Sequence, residues 1–243
     1  MNGRLWCLFK KEFGSYFRTR MAYVLLSVYL LLSMLSVFYR GDYFDLYNRT
    51  LFSFFYFQPE ILVVLVPVLT MKLWADERRS GTIELLLSEP VDYGTLAAAK
   101  ILSVWAFCAV MLAATLPLWL VTAWFIPTDV GTILSGYVAC LLTGGALAAV
   151  GAAVSVQAKN PVTAYLAAFI AGWLMKLADF DWVLRFFKLS DELSFRIATA
   201  LSFKSHFEDL MLGQPGWDDL GYFVSIILLG WWLNTMIIAT KRD

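Results

Sequence analysis

The residues best suited to chemistry lie together in one short stretch, WADERRSGTIELLLSEPV at residues 74–91, between two apolar segments. It begins with an acidic and basic cluster, continues through a Ser-Gly pair and a short apolar run, and ends near a proline. A loop that only joins two membrane helices needs no more than a polar turn. These side chains suit ion pairing with another protein, so we expect a cytoplasmic partner to hold this loop. A charged turn that only anchors topology is the alternative, and composition does not separate the two.

The local structure of this stretch can be predicted from its helix signals. The preceding helix is predicted to continue through Arg79 and to stop at Gly81, since glycine is a preferred helix terminator. Thr82 can cap a new short helix, and Glu84 is favourable in its first turn. Pro90 ends that helix. The predicted product is a rigid cytoplasmic helix tied directly to two spanning segments.

Apolar segments of membrane-spanning length dominate the chain, in which hydrophobic residues make up 60%. Runs of about 18 or more apolar residues are typical of spanning helices. Four runs meet this criterion clearly, and two weaker ones fill the gaps. We therefore predict an all-α polytopic membrane protein, a single domain over residues 1–243 with a cytoplasmic loop at 76–92 and an outer loop at 179–219. The six predicted spans cover residues 21–39, 54–74, 97–126, 131–157, 161–178 and 220–240.

Positive charge sets the predicted orientation. Cytoplasmic loops carry an excess of Lys and Arg, and placing both termini inside puts 12 of the 19 basic residues on that side. We expect a multi-pass cell-membrane protein with both termini in the cytoplasm. Residues 21–39 are too long for a signal-peptide core, and no small-residue cleavage pattern follows them. The net charge of zero hides this asymmetry and argues neither for nor against nucleic acid, but no basic surface remains to bind one.

The segment before the first span, residues 2–20, has a basic amphipathic pattern. Aromatic and large apolar residues recur at helical spacing on one side, and basic residues take the other. This composition is typical of a helix that lies in the membrane interface. A disordered basic lead-in is the alternative. The apolar positions are Leu5, Trp6, Phe9, Phe13, Tyr16 and Phe17.

Residues that catalyse reactions or bind metals are sparse. His206 is the one histidine, and in the predicted outer loop we expect it to be a polar surface residue. Cys7, Cys108 and Cys140 have no CxxC or metal-ligand spacing, so we predict neither disulfides nor a metal site. An intramembrane enzyme would need a catalytic set at depth, and we assign no catalytic residue.

Polar residues inside the second span form another candidate site. Gln58 and Glu60 lie near its outer end, and a carboxylate within a membrane is a functional hypothesis by default. The alternative is that the span starts lower and Glu60 lies among the lipid headgroups. Pro67 would kink the same helix, which suits moving helices and is also common in passive ones. We therefore place these three residues on a predicted path through the membrane.

Small residues recur in the fourth and fifth spans, where they let helix backbones approach closely. Packing within the chain and packing between subunits are both open interpretations of this pattern. The residues are Gly144, Gly145, Ala148, Ala149, Gly151, Ala152 and Ala153, followed by Ala164, Ala168 and Gly172.

Three stretches resemble the ABC-2 type permeases, the type-2 membrane subunits of ABC transporters. LWADERRSGTIELLLSEPV carries the acidic and basic cluster, the G-T-[IL]-E-L-L-L pattern and the proline of that family. LFKKEFGSYFRTRMAYV is similar to the family's opening helix and first span, and SHFEDLMLGQPGWDDLGYF is similar to its closing segment. The similarity is greatest to the small permeases of gliding-motility and nitrous-oxide-reductase-maturation systems.

The resemblance implies a permease subunit of an ATP-driven exporter in a bacterial inner membrane. Two permease chains, expected here as a homodimer, would pair above two cytoplasmic ATPase chains. Closure of the ATPases on ATP would move a coupling helix, which on this sequence is Thr82–Ser88. ATP and Mg would bind the partner ATPase and no cofactor would bind this chain, which has no G-x-x-x-x-G-K-[ST] motif. The residues implied to serve this coupling are Glu12, Asp76, Glu77, Arg78, Arg79, Gly81, Thr82, Glu84 and Pro90.

A non-transporting membrane scaffold or assembly factor is the main alternative function. Such a protein would need no loop for coupling to an ATPase, so co-purification of a stoichiometric ATPase would separate the two hypotheses. If the chain is a transporter, its mostly apolar and aromatic spans suit an amphiphilic substrate such as a lipid or glycolipid.

Overall fold

The computed structural model describes residues 2–40, 52–81, 92–125, 129–177 and 202–240. Within these ranges the chain is helical and contains no strand, which confirms the predicted all-α class. A π-helical turn, Ser36–Arg40, extends the second helix. The α-helices are α1 (Asn2–Arg18), α2 (Arg20–Leu35), α3 (Phe52–Thr70), α4 (Ala75–Arg79), α5 (Tyr93–Ala113), α6 (Leu116–Phe125), α7 (Val130–Gln157), α8 (Pro161–Leu177), α9 (Phe203–Met211) and α10 (Trp217–Thr240).

Five segments of the described chain are long and apolar enough to cross a membrane. The sixth predicted span, at residues 161–178, corresponds to a shorter apolar helix, Pro161–Lys176. These helices fit a polytopic membrane protein, and the total of six spans stays a prediction. The five longer segments are Arg20–Phe38, Ser53–Arg79, Tyr93–Thr122, Val130–Gln157 and Trp217–Thr240.

Two of the predicted spans are interrupted. The third, at residues 97–126, divides between Ala113 and Leu116 into α5 and α6, and Pro117 occupies the first turn of α6, where a missing N–H costs nothing. In the second, α3 ends at Thr70, and α4 begins only after a turn. The prediction of an unbroken helix through Arg79 is therefore wrong.

The helix α7 lies at the centre of the fold and packs against α3, α5, α8, α9 and α10. Its small residues permit this, because a Cβ added at Gly145 would lie 2.9 Å from the ring of Trp105. On α10, a Cβ at Gly230 would lie 2.7 Å from the Cβ of Ala149. Such close backbone approach drives helix packing in lipid. Of the two interpretations of the small-residue pattern, packing within the chain therefore accounts for these α7 residues.

The predicted N-terminal helix is confirmed as α1, and its apolar stripe packs against α5. The rings of Tyr16 and Phe17 lie 5.4 Å and 5.7 Å from the ring of Phe107. Trp6, at the other end of the stripe, remains 63% exposed. Since α1 is fixed along α5 in this way, its polar residues are held close to the start of the third span.

The helix α9 anchors the described end of the outer loop to α10. It is capped by Ser202 and ends at Met211, and the chain then turns at Gly213, whose positive φ of 76° favours glycine. His206 on α9 lies with Nδ1 2.6 Å from Oδ1 of Asp219 at the start of α10, and the two side chains are 12% and 8% exposed. The expectation that His206 is a surface residue is therefore wrong. The rest of the predicted loop at 179–219, up to residue 201, lies outside the described residues.

Candidate functional site

The turn between α3 and α4 is the centre of the candidate site, because it leaves backbone groups of a spanning segment without helical partners. A side chain from another helix supplies hydrogen-bond partners for these backbone groups. The Trp74 amide donates to Oγ of Ser155 on α7 at 3.3 Å, and that hydroxyl donates to the carbonyl of Met71 at 3.4 Å. Buried backbone groups need such partners, and within a membrane neighbouring helices supply them. Ser155 itself is fully buried.

A buried lysine completes the other side of the turn. Lys100 on α5 is 1% exposed, and its ammonium donates to the carbonyl of Leu73 at 2.9 Å. The same ammonium pairs with Oε1 of Glu77 on α4 at 2.7 Å and with Oε1 of Glu12 on α1 at 3.2 Å. It also lies 4.9 Å from the ring centroid of Trp74. One cation therefore joins α1, α4, α5 and the turn. Lys100, Glu12, Glu77 and the carbonyl of Leu73 form what is called the Lys100 cluster below.

The electrostatics of this cluster favour a fixed geometry. A buried ammonium is costly unless it is paired and hydrogen-bonded, and Lys100 has two carboxylates and a carbonyl as acceptors. The carboxylates of Glu12 and Glu77 are 19% and 25% exposed, so water screens these ion pairs only in part. Nearby, burial raises the pKa of the Tyr16 phenol, which donates to the carbonyl of Leu69 at 3.4 Å. The phenol therefore stays a neutral donor.

A cavity of about 230 Å³ lies beside the cluster, between α1, α2, α3 and α4. Its polar wall includes Glu12, Lys72 and Asp76, and its apolar wall includes Leu25 and Val68.

The predicted coupling residues that the structure describes lie on or beside this cluster. Arg78 donates to the carbonyl of Gln157 at the end of α7 at 3.4 Å, and Arg79 is exposed. Gly81 has a φ of 72°, which confirms the prediction that a glycine ends this helix. Glu12 and Glu77 belong to the Lys100 cluster. The predicted helix Thr82–Ser88, with Thr82, Glu84 and Pro90, lies outside the described residues.

The residues of the predicted transmembrane path are placed differently. Gln58 is fully buried, where it accepts from the Tyr29 hydroxyl at 2.9 Å and donates to the Ser33 hydroxyl at 3.3 Å. Glu60 pairs with Lys176 on α8 at 2.8 Å and is 38% exposed, beside a pocket of about 280 Å³. Pro67 lies one turn before the break, and its carbonyl accepts the amide of Met71.

Sequence reasoning missed Lys100 and Ser155. In the sequence, Lys100 contributes one charge to the orientation count, but it also lies about two turns into an apolar helix. A lysine in that position requires a partner, so its position is a sequence signal for a buried ion pair. Ser155 gave no such signal, because serine is an ordinary component of small-residue helix faces.

Residues 6–177 match the model of one protein family, described as ABC-2 family transporter protein. The match covers more than half of the chain, from α1 to the end of α8, and it includes the whole Lys100 cluster and Ser155. The chain therefore belongs to the ABC-2 family of transporter proteins. It is a membrane protein of the permease type. Among curated proteins, no match to this chain was found.

Proposed function

We propose that this chain is the permease subunit of an ATP-driven ABC exporter and that it converts ATP hydrolysis by a separate cytoplasmic ATPase into helix movement. The observation that carries the proposal is the Lys100 cluster, which ties α4 to α1 and α5 in a chain that belongs to the ABC-2 family. Export, rather than import, is supported by resemblance within the family alone.

The proposed mechanism begins with contact between the ATPase and the coupling stretch, the name used here for the predicted loop at residues 76–92. The exposed residues Arg79 and Ser80 offer it polar groups, and Gly81 sets the direction in which the chain leaves α4. Charges at such a contact become partly desolvated, so the loss of one can weaken binding by several kcal/mol. A push on α4 would then reach α1 and α5 through Glu77 and Lys100.

The proposal includes the partners that a complete transporter needs. A second copy of this chain would form the other half of the permease, and two ATPase chains would bind ATP and Mg. This chain would bind no cofactor, and its contribution would be positioning. Both termini and the coupling loop would face the cytoplasm, with the membrane being the bacterial inner membrane. Asp76, Arg78, Thr82, Glu84 and Pro90 would shape or make the ATPase contact.

The transmembrane path remains part of the proposal. Glu60 and Lys176 form a partly exposed ion pair at a pocket lined also by Tyr56, Phe203 and Phe207. Charged and aromatic groups together suit an amphiphilic substrate near the outer end of α3. Gln58 would act there by holding α2 against α3, since its side-chain atoms already bind α2, and Pro67 would allow the helix to bend.

The test is purification of the tagged chain from its own membranes, followed by identification of bound proteins and measurement of ATP turnover. We expect a stoichiometric ATPase in the complex. The chain freed of that subunit should show no ATP turnover, and adding the subunit back should restore it. Robust turnover by the single chain would contradict the proposal. A purified chain that never carries an ATPase would favour the scaffold function instead.

A further inference from the structure

We infer that Ser155 is a coupling residue, which passes the movement of α4 directly to the central helix α7. This route is separate from the Lys100 cluster, which leads to α1 and α5. The inference rests on the proposed function, because the movement of α4 that Ser155 would transmit is the one that a partner ATPase would cause. It adds a specific route and a residue outside the coupling stretch.

The first argument is the way in which the Ser155 hydroxyl is used. A serine inside a helix ordinarily bonds back to a carbonyl of its own helix. Ser155 instead accepts from the Trp74 amide and donates to the Met71 carbonyl, so one hydroxyl holds both ends of the turn. Neither Met71 nor Trp74 can shift far from α7 without leaving a buried backbone group unpaired. The turn and α7 are therefore expected to move together.

The second argument is that two further contacts bind α7 to the same segment. Gly151 lies one turn before Ser155 on the same face, and a Cβ there would overlap Oγ1 of Thr70, so α3 and α7 touch closely. At the other end, Arg78 donates to the carbonyl of Gln157. That carbonyl is in the last turn of α7, where helix carbonyls lack helical partners. The three contacts follow the chain from α3, through the turn, to α4.

The third argument is the position of α7. It packs against most of the other described helices, including α10 and the outer helix α9. A displacement of its α4 end is therefore passed to the opposite side of the molecule. The hydroxyl of Ser135, near the start of α7, donates to the carbonyl of Leu210 on α9. The same helix thus contacts the turn before the coupling stretch at one end and the outer elements at the other.

The experiment compares hydrogen–deuterium exchange of the purified permease–ATPase complex with and without ATP plus vanadate. In the unchanged complex, we expect nucleotide to alter exchange both at residues 71–81 and at residues 151–157. In Ser155→Ala, the change at 71–81 should remain, whereas the change at 151–157 should shrink by about two- to thirtyfold, the range typical of mutations that modulate coupling. Ser225→Ala is the matched control, because its hydroxyl is exposed and, among the described residues, donates to the carbonyl of Tyr222 within α10. It should behave as the unchanged complex does.

The outcomes separate the inference from the proposed function. An unchanged nucleotide response at 151–157 in Ser155→Ala would overturn the role of Ser155 and leave the proposed function standing. A complex without ATPase, or without any nucleotide response at 71–81, would overturn the proposed function and the inference with it. Ser155→Cys, which keeps the size of the side chain but has a weaker hydrogen-bonding group, should give an intermediate response. It also serves if the alanine variant folds poorly.

Discussion

The ammonium of Lys100 and the carboxylate of Glu77 lie 2.7 Å apart, although 23 positions separate them in the sequence. Glu77 lies at the beginning of the predicted coupling loop at 76–92, and Lys100 lies about two turns into α5, the helix that follows the loop. The ion pair therefore closes the base of the loop. Lys100 is almost fully buried and also binds the carbonyl of Leu73 and the carboxylate of Glu12, so it joins α4 to α1 and α5.

The first prediction concerns the contribution of the Lys100 ion pairs to the free energy of unfolding. Lys100→Met removes the cation and leaves the carboxylates of Glu12 and Glu77 facing each other in a partly buried site. Removing one partner of a buried ion pair costs about 3–5 kcal/mol, and the partial exposure of both carboxylates places the expected loss at the lower end. Thermal unfolding of the purified chain in detergent measures it.

A compensating variant serves as the control for Lys100→Met. Adding Glu12→Gln and Glu77→Gln removes the uncompensated charges, so most of the lost stability should return. Recovery would show that charge, rather than the volume of the lysine side chain, holds the cluster. If the triple variant is no more stable than Lys100→Met, the electrostatic account of the cluster is wrong.

The second prediction concerns His206, which holds α9 to α10. The carboxylate of Asp219 is 8% exposed, and His206→Ala removes one of its hydrogen-bond partners. Among the described residues, the amide of Gly216 at 2.9 Å then remains as a donor to this carboxylate. A hydrogen bond to a charged group contributes about 1.5–3 kcal/mol, so unfolding stability should fall by that order. Lys204→Ala on the same helix removes a 3.7 Å pair between side chains that are 51% and 36% exposed, and should change stability little. Equal losses in the two variants would rule out a special role for His206.

Features of the fold that depend on neighbouring residues could be predicted from the sequence, whereas features that depend on contacts between distant residues could not. The helices followed from long apolar runs, and the helix end at Gly81 followed from one local residue preference. The break after Thr70 could not be predicted in this way, because its backbone groups are satisfied by Ser155, 81 positions beyond Trp74, and by Lys100, 27 positions beyond Leu73. His206 was misjudged for the same reason, since its burial depends on where α10 packs.

The third prediction concerns topology. The charge count places Ser80 in the cytoplasm and Gln214 outside, and both residues are exposed in the structure. Single cysteines at these positions should therefore react differently with a membrane-impermeant thiol reagent in intact cells, with labelling at 214 and none at 80. Cys7 is exposed and must be replaced first, whereas Cys108 and Cys140 are buried and can remain. The opposite labelling pattern would reverse the proposed orientation.

The fourth prediction separates docking from folding at the coupling stretch. Arg78→Ala and Glu84→Ala should leave membrane insertion and yield near normal. Arg78 is partly exposed, and charges of this kind contribute only about 0–1 kcal/mol to stability, while Glu84 is expected from the sequence to lie in a water-facing loop. At a contact with the ATPase the same charges are desolvated, so affinity for that subunit should fall by about 2 kcal/mol or more. Titration of the ATPase onto each variant in nanodiscs checks this. Normal affinity and normal ATP turnover in both would mean that the loop only anchors topology.

The last prediction uses Gly81, where backbone strain can be separated from crowding. Its φ of 72° lies in the left-handed region, yet a Cβ added there would meet no atom of the described residues within 4 Å. Gly81→Val should therefore act through the backbone alone, at a cost of about 1–2 kcal/mol, or should force the chain to leave α4 in another direction. Either result should weaken ATPase docking while the spans still insert. Gly81→Asn is the matched control, because asparagine tolerates left-handed angles and should retain most of the affinity. Comparable ATPase affinity for the valine and asparagine variants would show that the backbone angle at this position does not direct the coupling stretch.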